Sequence, residues 1–110
     1  MKITEILERA VQAAASDIFI IAGLPVTLKC KGEQIRLEDT EILKPDGIRE
    51  LVEEIYEVAG RERTNLERHL DDDFSFSMSG LGRFRINIFR QRGSLAAVIR
   101  IIRFGTFPSV

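Results

Sequence analysis

Two neighbouring segments of the chain alternate between apolar and polar residues with a period of two. The apolar positions all carry even numbers, namely Phe74, Phe76 and Met78 in the first segment and Phe84, Ile86 and Ile88 in the second. This pattern predicts two half-buried strands joined as a β-hairpin. A slip of one residue would turn arginines into the core, so paired residues must both be even or both be odd. The same parity places Ser75 and Ser77 on one face with Arg83 and Arg85.

Helical periodicity precedes the hairpin. Apolar residues recur at helical spacing over residues 3–15, with Thr4 as the expected cap, and again over residues 44–60. In the second of these segments the stripe consists of Ile48, Leu51, Val52, Ile55 and Tyr56. A third, charged helix is predicted over residues 61–70, where His69 is expected to be exposed.

Shorter apolar runs predict the remaining strands. Residues 18–21, 26–31 and 34–37 are the first three, and residues 95–102, apolar except for Arg100, are typical of a central strand. The element order is then helix, three strands, two helices, three strands. This order predicts an α+β fold with a mixed or antiparallel sheet and helices packed on it.

Composition excludes several kinds of site and partner. The 110 residues carry 17 acidic and 16 basic side chains, a formal net charge of −1. Nucleic acids and anionic membranes usually select a basic excess, so neither is an expected partner. A single cysteine and a single histidine provide neither an intramolecular disulfide nor a zinc site. No apolar run approaches the ~20 residues that span a bilayer. The first 15 residues are amphipathic rather than a secretory signal, which favours a cytoplasmic location.

Carboxylates and the lone thiol are interpreted as structural residues. Asp71, Asp72 and Asp73 are consecutive, and successive residues entering a strand point to opposite faces. The three therefore favour a strand entry over a metal site. Asp17 is interpreted as a turn or cap residue, and Cys30, on the apolar side of its strand, as a small core residue.

Three motifs spread along the chain carry a family resemblance. They are Ala15-Ser16-Asp17-Ile18, Ala22-Gly23-Leu24-Pro25, and Asp73-Phe74-Ser75-Phe76 followed by Gly80-x-x-Arg83-Phe84-Arg85-x-Asn87-x-Phe89. Together they resemble the N-terminal domain of twitching-motility ATPases, the type IV pilus retraction motors of the secretion ATPase family. The chain departs from the family at Phe19, where the family usually has His.

The resemblance implies a fold and a function. Residues 1–104 would form a PAS-like domain, and residues 105–110 would begin a linker to a RecA-like ATPase domain that the chain lacks. No Gly-x-x-x-x-Gly-Lys phosphate loop occurs in the chain, so by itself it is expected to bind no cofactor and to hydrolyse no ATP.

The family also implies a role within a larger machine. The full-length protein would bind ATP and Mg²⁺, form a homohexamer and work with the pilus machinery at the cytoplasmic face of the inner membrane. The implied role of the chain is assembly and regulation, coupling ATP hydrolysis to pilus disassembly.

Three arginines are the candidate functional residues. The resemblance implies that Arg83, Arg85 and Arg100 lie near the nucleotide or a neighbouring subunit of the full-length hexamer, and a guanidinium fork suits phosphate. The alternative for Arg83 and Arg85 is a solvated strand face. For Arg100, in an apolar strand, the cost of an unpaired buried charge favours a structural ion pair with Asp72 or Asp73.

Two other functions are open at this point. A PAS-like fold is compatible with a sensor that binds a small ligand in its core, although the chain has no Trp and one Tyr. A nucleic-acid module would place arginines among stacking aromatic residues, here Arg83, Arg85, Arg90 and Arg92 with Phe84 and Phe89. The net charge and the inward parity of Phe84 argue against that module.

Overall fold

The described helices and strands occur in the predicted order, apart from the predicted third helix, most of which lies outside the described residues. The computed structural model describes residues 1–62 and 71–102, which contain two helices and six strands. The helices are α1 (Ile3–Gln12) and α2 (Pro45–Ala59). The strands are β1 (Asp17–Ile20), β2 (Thr27–Cys30), β3 (Glu33–Arg36), β4 (Asp71–Met78), β5 (Gly82–Gln91) and β6 (Ser94–Ile102).

One antiparallel sheet contains all six strands, in the order β3-β2-β1-β6-β5-β4. The predicted α+β class is confirmed, and so is the central position of β6, which pairs with β1 on one side and β5 on the other. The sheet joins the first three strands to the last three through the β1–β6 pair, which links residues about 80 positions apart. This long-range pair decides which side chains of the two halves become neighbours.

The hairpin of β4 and β5 has the register that the alternation predicts. Phe74 pairs with Ile86 and Phe76 with Phe84, whereas Ser75 pairs with Arg85 and Ser77 with Arg83. Even residues therefore meet even residues along the hairpin, and odd residues meet odd ones. Arg83 and Arg85 therefore lie on one face of the sheet.

The core lies between the two helices and one face of the sheet. The predicted α2 stripe is confirmed, since all five of its members are buried. α1 contributes Ile3, Ile6, Leu7 and Ala10, and the central strands contribute Ile18, Ile20, Phe84, Ile86, Ile88, Ala97 and Ile99. Cys30 packs half-buried against this core, as predicted. Within residues 1–62 and 71–102, the opposite face of the sheet is covered by neither helix, and it is called the uncovered face below.

The helix ends show where the sequence pattern misleads. α1 ends at Gln12 rather than at residue 15, because Ala14 adopts a positive φ of 59°. Thr4 is not its cap. Instead the Glu54 carboxylate of α2 accepts a hydrogen bond from the Ile3 backbone N–H at 2.7 Å. A charge from the second helix thus satisfies an N–H group at the start of the first.

Some predicted segments lie outside the described residues. Arg61 and Glu62 are irregular, so the predicted third helix does not begin at residue 61, and the rest of that helix, with His69, is not described. The predicted linker at residues 105–110 is not described either. Within residues 1–62 and 71–102, none of the helices has the length and apolarity that crossing a membrane requires.

An ion pair between α1 and the β3–α2 loop makes stability depend on pH. Arg9 donates to both carboxylate oxygens of Asp39, at 2.8 and 3.0 Å, and these hydrogen bonds lower the pKa of Asp39. A pKa lowered by folding means stability that is present above the unfolded value of about 4 and is lost as the pH falls through the folded value. We expect Asp39→Asn to lower Tm at pH 7 and the difference from wild type to vanish in acid. A difference that stays constant across that range would contradict this assignment.

Candidate functional site: an arginine-bearing sheet face

The structure brings the three candidate arginines together on the uncovered face of the sheet. In the β5–β6 register Arg85 lies directly opposite Arg100, and Arg83 lies opposite Ile102. On the other side of β5, Arg85 faces Ser75. Directly paired residues point to the same face of a sheet, and residues two apart on one strand do so too, so Arg83, Arg85 and Arg100 form one surface, hereafter the arginine face.

A glycine at the start of β5 allows the strands beneath this surface to approach closely. Gly82 has a φ of 138°, a value that side-chain-bearing residues rarely adopt. A Cβ atom there would lie 3.2 Å from the backbone oxygen of Ile102. Gly82 therefore lets β5 leave its turn while staying beside the end of β6.

Arg83 and Arg85 have only loose partners within the domain. Arg83 donates to the Ser75 hydroxyl at 3.1 Å. Arg85 contacts both carboxylate oxygens of Asp73, but at 3.3 and 3.4 Å, and its side chain is 63% exposed. Exposed pairs of this kind contribute little to stability. Both guanidinium groups remain accessible to an external anion.

The predicted structural pair of Arg100 with Asp72 or Asp73 is wrong. Arg100 is 71% exposed, and its Nε lies 3.5 Å from the carboxylate of Asp17. The reason is strand order: β1 lies beside β6 and places Asp17 opposite Arg100, whereas Asp72 and Asp73 are on β4, two strands away. The strand is apolar where the helices cover it, and Arg100 lies on the uncovered face.

Asp17 belongs to this face, which sequence reasoning missed. It is the first residue of β1 rather than a turn or cap residue, and its side chain is only 13% exposed. It accepts a hydrogen bond from the Ser16 hydroxyl at 2.7 Å and lies opposite Lys29 on β2. Its place in the Ala-Ser-Asp-Ile motif was the one signal that could have singled it out.

Phe19 also lies on the uncovered face. It follows Asp17 by two residues on β1, is half-buried, and faces Val98 on β6 and Thr27 on β2. The position at which the family usually carries His is therefore on the same surface as the arginines. In this chain that position contributes apolar area instead of a titratable ring.

The charge arrangement of the arginine face suits an anion. Arg85 and Arg100 are cross-strand neighbours of like charge, an arrangement that weakens a sheet. A cleft of about 460 Å³ beside Arg83 and Arg85 is lined by these two arginines and by Asp73, Phe74, Ser75 and Ile102. Guanidinium groups donate two parallel hydrogen bonds to a phosphate or a carboxylate and stay charged at any physiological pH.

The three consecutive aspartates divide as predicted. Asp71 and Asp73 are exposed, and Asp72 points inward. Asp72 accepts hydrogen bonds from the Tyr56 hydroxyl at 2.9 Å and from Arg61 at 2.8 and 3.0 Å, and the bond to Asp72 raises the pKa of Arg61. In the part of the chain that the structure describes, no acidic, histidine or cysteine side chains converge as metal ligands would. Asp72 is a structural anchor.

Comparison with known sequences identifies relatives among pilus ATPases. No family model matches the chain. It is 35% identical over 103 residues to the type IV pilus retractation ATPase PilT of Pseudomonas aeruginosa, and 31% identical over 102 residues to the type IV pilus ATPase PilU of that organism. Each match covers 93% of the chain, but only 29% and 26% of the respective relative. The chain therefore spans less than a third of the length of these relatives.

Solved structures agree with the sequence matches. The pilus retraction motor PilT, crystallised with bound ADP, superposes with a TM-score of 0.82 at 38% identity, over 94% of this chain and 30% of that one. The Legionella pneumophila ATPase DotB has a TM-score of 0.71 at 22% identity, over 93% of this chain and 29% of its own, which shows the fold alone. The resemblance to the N-terminal domain of pilus retraction ATPases is confirmed in sequence and in fold.

Proposed function

We propose that the chain is the assembly and regulatory domain of a hexameric motor ATPase that drives type IV pilus retraction. In this proposal ATP and Mg²⁺ are bound by a phosphate-loop domain outside the 110 residues, and the chain transmits the state of that nucleotide between subunits. Its partners are the neighbouring subunits of the ring and the pilus machinery of the inner membrane, approached from the cytoplasm. The relatives named as pilus ATPases support this reading.

The observation that carries the proposal is the arginine face. A sheet with both helices on one side leaves its other side open, and in this domain the open side bears three arginines with weak internal partners. A surface that meets only solvent needs neither arginine in place of lysine nor two like charges on neighbouring strands. Arg85 beside Arg100 is instead suited to a multiply charged anion.

In a ring of identical subunits, the neighbouring subunit can present such an anion. Ring contacts are heterologous, so one surface of a subunit meets a different surface of the next. A cationic sheet face is complementary to a neighbour that presents nucleotide phosphates or carboxylates at its edge. Phosphoryl transfer proceeds through electrostatic stabilisation and positioning, so an arginine supplied by the adjacent subunit would make turnover depend on assembly.

Substitution of Arg85 tests the proposal. We expect Arg85→Ala to change the stability of the isolated chain by less than ~0.5 kcal/mol, because the side chain is exposed and loosely paired. In a chimaera where this chain replaces the matching part of P. aeruginosa PilT, the same change should slow ATP turnover about tenfold to hundredfold. Tm of the chain and steady-state ATPase rate of the chimaera are the measurements.

Matched variants sharpen this test. Arg83→Ala should behave like Arg85→Ala, and Arg85→Lys should restore turnover only in part, because an ammonium lacks the bidentate fork. Arg90, exposed near the end of β5 with the opposite parity, is the control, and Arg90→Ala should leave turnover unchanged. Normal turnover in both Arg83→Ala and Arg85→Ala would contradict the proposal and leave these arginines as residues of a solvated strand face.

A small-ligand sensor is less well supported. Recognition in the core would need polar groups that a ligand could engage. The buried polar residues of the described part are Thr27 and Asp72, and both are bonded to protein groups. The remaining core consists of packed aliphatic and aromatic side chains.

A further inference from the structure

A groove lies on the helix-covered side of the domain, away from the arginine face. It is bounded by the first turns of α1 and α2 and by the loop over residues 39–44, and its volume is about 730 Å³. Two of the four large apolar side chains that are exposed among the described residues line it, Ile42 at 61% and Met1 at 48% exposure. Ile6, Val26 and Leu51 form its buried floor.

The rim of this groove is acidic. Its carboxylates are Glu5, Asp39, Glu41, Asp46, Glu50 and Glu54, and Lys44 is the one basic residue among the groove's described lining. Asp39 is held by Arg9, and Glu54 caps α1. Glu41 and Glu50 are exposed and form no ion pair within the described part of the chain. We call this feature the acidic groove.

The acidic groove is charged opposite to the arginine face, although the chain as a whole is nearly neutral. The carboxylates are spread along the rim rather than converging, and no group of three in the described residues is placed to hold a metal ion. A single small cation would therefore leave most of the rim uncompensated. A ligand complementary to the exposed apolar side chains of Ile42 and Met1 and to the acidic rim is extended, with one apolar side and one basic side.

We propose that the acidic groove docks a basic amphipathic segment of a partner protein. Apolar side chains of that segment cover Ile42 and Met1, and its lysines or arginines pair with Glu41 and Glu50. Binding of an amphipathic segment in a groove is a common mode of peptide recognition. The acidic groove and the arginine face lie on opposite sides of the sheet, so both can be occupied at once, and neither proposal depends on the other.

A labelled peptide tests the groove directly on the isolated chain. The probe is a fluorescein-labelled peptide of roughly 14 residues with Leu on one helical face and Lys on the other. Fluorescence anisotropy should show saturable binding that weakens as salt is added. The double variant Glu41→Lys/Glu50→Lys should weaken binding at least about tenfold, and Ile42→Ser should weaken it by a similar factor.

A charge-matched control separates docking from general attraction. Glu33→Lys/Glu57→Lys makes the same change in net charge at exposed positions outside the groove and should leave binding within about twofold of wild type. Equal weakening by both double variants, or no saturable binding, would overturn the proposal. So would concentration-dependent self-association in sedimentation that Glu41→Lys/Glu50→Lys abolishes, since a second copy would then occupy the groove.

Discussion

Replacing Asp72 by Ala is expected to destabilise the domain by about 3 kcal/mol, since removing one partner of a buried ion pair leaves the other groups desolvated and uncompensated. The side chain of Asp72 is 1% exposed, and it accepts from the hydroxyl of Tyr56 and from two nitrogens of Arg61. It also accepts from the backbone N–H of Asp73 at 3.0 Å. The pair therefore joins the segment after α2 to the edge strand β4.

The measurement is a thermal or denaturant melt of the isolated chain. A loss of this size lowers Tm by more than about 10 °C in a domain of this length. Asp73→Ala, one residue away on the exposed face, is the matched control and should cost less than about 0.5 kcal/mol. Similar effects of the two substitutions would contradict the role of Asp72 as an anchor.

Replacing Phe84 by Ala is expected to cost about 3–5 kcal/mol, the range for deleting a large side chain from a packed core. Phe84 is a fully buried residue of β5, and its ring lies 5.6 Å from that of Phe76 on β4, centroid to centroid. Truncation to Ala would remove this aromatic contact and leave a cavity in the buried core to which Phe84 belongs. Denaturant unfolding of the isolated chain gives the free energy directly.

The neighbours of Phe84 in sequence provide the control. Arg83 and Arg85 lie on the other face of the same strand, so Arg83→Ala and Arg85→Ala should each be nearly neutral in stability. A large cost at Arg83 or Arg85, or a small one at Phe84, would contradict the even-numbered register of the hairpin. The contrast among three consecutive odd and even positions tests the fold independently of any function.

The two proposals assign a different binding role to each of the two surfaces. The arginine face is formed by strands alone, and its cations are suited to the nucleotide or carboxylates of a neighbouring subunit. The acidic groove is formed by the helix ends and a loop, and its charge and apolar wall suit a basic partner segment. The sheet and its core separate the two surfaces.

Several features of this protein follow from its sequence by itself. Strict alternation in β4 and β5 determined their parity, and with it the burial of Phe84 and the exposure of Arg83 and Arg85. Helical spacing determined which side of α2 is buried. These predictions hold because a period of two or of 3.6 residues is a local property, and one apolar side must leave water whatever it packs against.

Only the tertiary structure decided which residues from distant segments meet. β1 pairs with β6, so Asp17 rather than an aspartate of β4 faces Arg100, and Arg100 is exposed rather than buried. Asp72 turns inward to Tyr56, and Glu54 takes the capping role expected of Thr4. Strand order and helix contacts depend on how all the apolar surfaces are buried together, so a local sequence pattern does not predict them.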